Sequence, residues 1–393
     1  MRPATGCAAC HGSRLRSIYS VTGIPVHSVL LMETVEQARA LPRGDLELAF
    51  CEDCGFIQNI RYDPTPQNYS PRCEETQHYS RTFDQWARAL AQDLIDRHGL
   101  RGKKILEIGC GKGDFLVLLC ELGDNEGIGL DPAYRPDRTK NPAASRIQFI
   151  NDFYDERYIH LKADVIVCRH TLEHIGPVRA FLDTVRRTAG DREDTLIFFE
   201  VPAVERVLQE GAFWDVYYEH ASYFSLGSLA RLFRASGYDV TWLSRAYDDQ
   251  YLLIEARPAA GPTSPRFPEE DDLDFLARAV DHFASAGPAQ IERWRREVEE
   301  ARARGEKAAL WGSGSKAVAF LTTTGCGDAI GAVVDVNPHR HGWHLPATGH
   351  RIMSPAELGN YQPDLVIAMN RIYLEEIGAD LRAMGLSPRL VAL

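Results

Sequence analysis

A chain of 393 residues has room for two to four domains, and 45% hydrophobic residues are enough to build their cores. Its net charge of −11 argues against nucleic acid as a partner, although a few local arginines can still hold a small anion. No apolar run nears the ~18 residues that a membrane span needs, and the first residues lack the apolar core of a signal peptide. A cytoplasmic protein is expected, with its nine cysteines as thiols or metal ligands.

Cys7-x2-Cys10 and Cys51-x2-Cys54 are two pairs separated by 40 residues. Each pair closes a small knuckle, and the two together supply four thiolates for a tetrahedral Zn²⁺. Four cysteines leave no open position, so the expected zinc is structural; a redox role for either pair is the weaker reading. Gly12 and Gly55 follow the pairs, where the chain has to turn back toward the metal. Ile18 to Leu31 and Leu46 to Ala49 alternate like short strands, in a module (1–70) whose core is too small to stand without a staple. The span 7–54 is not basic enough to favour nucleic-acid binding.

Pro64 to Pro71 is a Pro-rich hinge, and Glu74 to Arg101 has helical spacing with Trp86, Leu90, Leu94 and Ile95 on one face. Tyr69, His78 and Tyr79 either close over a ligand or pack under the hinge. The chain is organised around the stretch after this helix, Lys103-Lys104-Ile105-Leu106-Glu107-Ile108-Gly109-Cys110-Gly111-Lys112-Gly113-Asp114-Phe115. An apolar strand runs into a turn with glycines at alternate positions, and a helix opens at Phe115. A dinucleotide fingerprint wants Gly or Ala where Asp114 stands, and Glu107 would repel a pyrophosphate. A phosphate-free cofactor with a positive centre suits the acid better, and S-adenosylmethionine (SAM) is such a molecule. Gly127 to Asp131 reads as the next strand, with Asp131 placed to grip ribose hydroxyls.

Gln148 to Phe153 is a third strand, with Asp152 placed to accept from the adenine amino group. Ala163 to Cys168 is a fourth, followed by Arg169-His170-Thr171-Leu172-Glu173-His174. His170 to His174 matches H-x-x-E-H, an inverted metalloprotease signature that needs both histidines on one stable helix. Here His170 lies at the mouth of a buried strand, so lining the cofactor or substrate pocket accounts better for both. Thr195 to Glu200 is a fifth strand. Phe213 to Ser225 then packs six aromatic residues with two acids and a histidine. Within it Tyr217, Glu219 and His220 are able to supply a proton acceptor and a group to orient it; a packed aromatic corner reads equally well. Ser225 to Tyr238 is an amphipathic helix, and Tyr251 to Ala256 closes a domain spanning 71–257.

Pro258 to Asp272 is a polar linker and Ile291 to Lys307 a charged, solvated connecting helix, in a connecting region set at 258–305. The last domain, 306–393, carries a second glycine turn. Gly312, Gly314 and Ala317 fit G-x-G-x-x-A, and Asp335 ends the next strand 21 residues after Gly314. That pattern admits a dinucleotide, or a Rossmann-like turn that only packs or cups substrate.

The stretch around Gly109 resembles motif I of the class I SAM-dependent methyltransferases. In order of parts, the chain resembles the sugar C-methyltransferases, as a divergent branch. The resemblance implies an α/β protein: a class I SAM methyltransferase Rossmann-like domain between a zinc-binding β module and a second Rossmann-like domain without a redox cofactor. SAM would lie against Glu107, Gly109, Gly111, Gly113, Asp131, Asp152 and His170, and structural zinc on Cys7, Cys10, Cys51 and Cys54. It implies His220 and Tyr217 as the groups that enolise a nucleotide-linked keto-deoxysugar for C-methylation, with Glu219 orienting the histidine. Two segments depart from the family pattern: Glu75 to Ser80, and Tyr247-Asp248-Asp249-Gln250, whose acids are poor company for a diphosphate. The alternatives are an O- or N-methyltransferase on another small metabolite, and a binding or assembly protein that retains the SAM fold.

Overall fold

The computed structural model describes residues 4–67, 69–259, 261 and 264–393. Residues 1–3 of the expected zinc module, Asn68 of the hinge, and Ala260, Pro262 and Thr263 of the linker lie outside the described residues.

The N-terminal module is an antiparallel sheet of β1 (Leu15–Pro25), β2 (Arg43–Cys51) and β3 (Ile57–Asn59). Helix Arg81–His98 then leads into the central domain, buried along Phe83, Ala87, Leu90, Leu94 and Ile95. There β4 (Lys104–Ile108), β5 (Glu126–Leu130), β6 (Ile147–Ile150), β7 (Val165–Arg169) and β8 (Leu196–Pro202) lie parallel, and each change of strand passes through a crossover. The chain next sends out β9 (Ser222–Tyr223), which pairs with β3 and becomes the fourth strand of the N-terminal sheet. Two strands return: β10 (Tyr238–Ala246) and β11 (Tyr251–Pro258), the latter antiparallel to both β10 and β8. The finished order is β10-β11-β8-β7-β4-β5-β6.

β10 differs from the sequence expectation, which ends a helix at Tyr238 and places a single closing strand. Only Tyr238, Asp239 and Val240 of β10 are buried, and in the rest of this edge strand Thr241, Ser244 and Arg245 interrupt the apolar residues, so it carries no apolar run.

The C-terminal domain is a five-stranded parallel sheet, ordered β14-β13-β12-β15-β16. Its members are β12 (Ala308–Trp311), β13 (Ile330–Val334), β14 (Ile352–Met353), β15 (Leu365–Ala368) and β16 (Arg389–Ala392). The connecting helix, Leu273–Ala303, is longer than its charged half suggests and is not a solvated connector. It buries Leu276, Val280, Phe283, Trp294 and Val298 in one apolar cluster with Leu46 and Phe50 of the module, Phe213 of the central domain and Phe320 of the last. That shared core holds the three parts against one another. Among the described residues, no helix is long and apolar enough to cross a membrane.

Candidate active site and cysteine cluster

The four cysteines converge. Cys7 Sγ lies 3.6 Å from Cys54 Sγ, and Cys10 Sγ lies 3.6 Å from Cys51 Sγ. All four sulfurs fall within 4.8 Å of one another. Zinc–sulfur bonds of about 2.3 Å in a tetrahedron set sulfurs about 3.8 Å apart, so the donor set fits the ion. The turn-back after the first pair is made by His11 (φ 63°), not by Gly12. Gly12 instead leaves room for the Asp53 carboxylate, which a Cβ there would approach to 2.3 Å and push aside.

In the central domain, Glu107 is the last residue but one of β4, and the glycine turn follows Ile108. Gly109 (φ 71°) admits no side chain, because a Cβ would fall 1.9 Å from Thr171 Oγ1. Asp131, just past β5, anchors the turn: its Oδ2 accepts from Gly111 N at 2.9 Å and its Oδ1 from Ala133 N at 2.6 Å. Burial pushes the Glu107 carboxyl up to about 8, against the pull of Arg169. Its Oε2 is buried without a hydrogen-bond partner, which is uncommon for a carboxyl oxygen. Lys112 is buried under the turn with Glu75 Oε1 at 3.1 Å, and it also donates to Cys73 O and Ala133 O.

Glu107, Gly109, Gly111, Asp131, His170, Tyr217, Glu219 and His220 all line one cavity of about 410 Å³, within the usual range of ligand sites. Two expected cofactor residues stand apart from its wall. Gly113 caps the helix Asp114–Gly123 and lies under Phe149, which stacks on Tyr134 at 3.9 Å. Asp152 is taken up locally, accepting from Tyr158 OH at 2.7 Å and pairing with Arg157 at 2.7 Å. His170 sits at the wall with Nε2 2.8 Å from Glu200 Oε1. Glu200 is fully buried, yet Arg169 and His170 hold its carboxyl down at about 2.

The aromatic run brings Tyr217 and His220 together, with ring centroids 4.1 Å apart. Burial pushes the Tyr217 hydroxyl well above its ordinary value, and burial with His174 and His170 nearby pushes the His220 imidazole well below its own. Glu219 does not orient His220. Its carboxylate turns to the module, where His27 Nδ1 is 3.1 Å away and Ser28 donates from N at 2.8 Å and from Oγ. Ser28 Oγ in turn reaches Ser315 Oγ of the C-terminal turn at 2.8 Å, so Glu219 sits where the three parts meet. The groups beside His220 are His174, edge-on at 5.0 Å, and Glu173. Residues 172–174 form a short 3-10 turn rather than the helix a metalloprotease signature needs.

The C-terminal turn closes the cavity's far side. Asp335 Oδ2 is occupied by Ser313 N (2.8 Å) and Ser313 Oγ (2.6 Å), and Lys316 pairs with Asp215 at 3.1 Å. Asp248 pairs with Arg371 at 2.8 Å on an exposed hairpin tip and does not point at the cavity, whereas Gln250 and Tyr251 line it. Sequence reasoning passed over Glu173, Arg169, Lys112, His27 and Ser28. Arg169 and Glu173 flank or belong to the H-x-x-E-H run; nothing in the sequence marks His27 or Ser28.

Two family models match the chain: a methyltransferase domain over residues 77–243, and a C-methyltransferase C-terminal domain over residues 270–386. The chain is thus a SAM-dependent methyltransferase of class I α/β fold that joins these two domains. C-methyltransferase NovU from Streptomyces niveus is 25% identical over 396 residues, covering 96% of this chain and 92% of that protein. Among solved structures, a 1,6-didemethyltoxoflavin-N1-methyltransferase from Burkholderia thailandensis aligns with 46% of this chain and 84% of its own at 19% identity (TM-score 0.35). The PH0226 protein from Pyrococcus horikoshii aligns with 47% of this chain and 96% of its own at 16% identity (TM-score 0.37).

Proposed function

We propose that the protein methylates a carbon of a nucleotide-linked keto-deoxysugar, through an enolate formed by a base in the cavity. The observation that carries this is the Tyr217–His220 pair: a neutral imidazole and a phenol in contact, on the wall shared by the Glu107–Asp131 pocket and the C-terminal domain. The similarity to NovU, which is called a C-methyltransferase, supports carbon as the acceptor. SAM, when bound, supplies an electrophilic methyl on a sulfonium. Glu107 would face the positive end of that molecule, Asp131 its ribose, and Gly109 would let the backbone approach. Carbon attacks a sulfonium only with enolate character, so a ketone beside the acceptor carbon and a base to deprotonate it are both required. An imidazole kept neutral by burial is such a base, and Tyr217 is placed to share the proton. The four-cysteine zinc would be structural.

The test is turnover with SAM and a thymidine-diphosphate-linked 4-keto-6-deoxyhexose, with the new methyl located by NMR. A product carrying the methyl on carbon next to the ketone is expected. A methyl on oxygen or nitrogen would overturn the reading in favour of an O- or N-methyltransferase.

A further inference from the structure

Glu173 is an acid that the aromatic run does not account for. It lies on the 3-10 turn Leu172–His174 after β7, is 2% exposed and lines the cavity. Its Oε2 is buried with no hydrogen-bond partner. A carboxylate oxygen of Glu173, a ring nitrogen of His174 and a ring nitrogen of His220 all lie within 4.8 Å of one another. His174 is fixed by its Nδ1–H, which donates to Glu219 O at 3.0 Å. Unpartnered buried oxygens are rare and call for an explanation, and this one stands beside the residue assigned as base.

We propose that Glu173 is the proton donor to the carbonyl oxygen of the acceptor, acting opposite His220 as the base. This rests on the enolate reading above. His220 takes the proton from the carbon beside the ketone; the C–H pair becomes the C=C bond, and the carbonyl π pair moves to oxygen, which takes the proton of Glu173. The result is a neutral enol, an imidazolium at His220 and a carboxylate at Glu173, with no change in total charge. The enol π pair then forms the new C–C bond as the C–S pair leaves with sulfur. The oxygen returns its proton to Glu173, and His220 loses the proton taken from carbon to solvent.

The environment supplies the starting state. Burial pushes Glu173 up to about 8, while His220 is pushed well below its ordinary value. Near neutrality the carboxyl therefore holds a proton and the imidazole does not, the pairing of opposed environments that marks an acid and a base. The titratable groups facing Glu173 are Cys168 from β7, His170 just after that strand, Glu200 from β8, Tyr217 and His220 from the aromatic run, and His174 beside it. Glu200 keeps its charge and adds to the upward push.

The experiment uses the zinc-loaded full chain with the thymidine-diphosphate-linked 4-keto-6-deoxyhexose in D₂O, without donor, and follows loss of the proton beside the carbonyl by NMR across pH. Washout should fall as pH rises through about 8, because the donor form of Glu173 is lost there. Glu173→Gln should cut washout and methyl transfer by roughly 10²-fold, leave SAM affinity and zinc content unchanged, and abolish that alkaline decline. Glu173→Asp keeps an acid of shorter reach and should recover part of the rate; with the wild-type profile, it carries the test if the amide variant fails to fold. Wild-type washout in Glu173→Gln, or a decline that persists there, overturns the role of Glu173 alone. A wild type that methylates the sugar without washout, or does neither, overturns the enolate or keto-sugar reading and this one with it. A second tightly bound metal per chain overturns it too, since Glu173, His174 and His220 would then be ligands.

Discussion

The molecule has two glycine turns at corresponding places in two α/β domains. After β4 and after β12, the central strand of its sheet, the chain enters a glycine turn, and in both domains an aspartate past the neighbouring strand accepts from the turn backbone: Asp131 from Gly111 N, Asp335 from Ser313 N. The side chains around the two turns differ. Two residues before the first glycine stand Glu107 in one and Leu310 in the other. Glu107 is buried with an unpartnered oxygen, whereas Leu310 is core and Trp311 forms cavity wall. Asp335 is additionally taken by Ser313 Oγ, and cationic Lys316 and Arg340 stand beside this second turn. A glycine turn after a buried strand therefore assigns no ligand by itself. In the function proposed above, Glu107 and Asp131 would take a positive molecule at the first turn, while the second lines the cavity's far side.

Removing what holds both turns to one cavity should have the largest effect. Zinc on the four cysteines would staple β1–β3; β9 pairs with that sheet, and Ser28 links Glu219 to Ser315. Structural zinc sites contribute on the order of 10 kcal/mol to folding. Cys51→Ser, or strong chelation, should thus unfold the module and abolish turnover; elemental analysis should find one zinc per chain, and a variant that keeps its circular dichroism without zinc would refute the assignment. Next in size, His220→Ala should slow turnover by ~10²–10⁴-fold while SAM affinity stays as it was, because the donor pocket does not depend on the base.

The paired aspartates sharpen the comparison directly. Losing a charge-assisted ribose contact costs about 1.5–3 kcal/mol, so Asp131→Ala should weaken SAM binding roughly ten- to a hundred-fold. Asp335→Ala should leave SAM affinity unchanged, and NADH should not bind the wild type. Calorimetry that reverses either result would make the two turns equivalent.

Features were legible in the sequence to the extent that they are local. Cysteine pairs and glycine spacing are short-range patterns, and the residues flagged around Glu107, Asp131 and His220 line one cavity. β9 is two residues long, too short for any periodicity, so its pairing with β3 was invisible, as was the destination of Glu219. The helix Leu273–Ala303 hid its buried face among arginines and glutamates. Asp152 stands at a strand end, as a ligand residue should, but Arg157 and Tyr158 nearby in the chain occupy it. Position can be read from the sequence; competition between partners cannot.

The smallest expected effect is the most specific to Glu107. In the free protein its carboxyl is pushed up to about 8 by burial, so near neutrality it is mostly protonated. Its folded value lies above the unfolded one. Its contribution to stability is therefore full below about 4.5, and is lost as pH rises toward about 8. A sulfonium and an amino group beside it favour the ionised form, so SAM binding should expel a proton below that pH. SAM affinity should then climb with pH up to about 8, by no more than about tenfold per unit. Glu107→Gln removes the titrating group and should leave only the ligand's own pH dependence. Calorimetry in two buffers of different ionisation enthalpy measures the released proton. Equal apparent enthalpies in both, with affinity independent of pH, would show that Glu107 does not face the positive end of the ligand, and the contrast with Leu310 would lose its meaning.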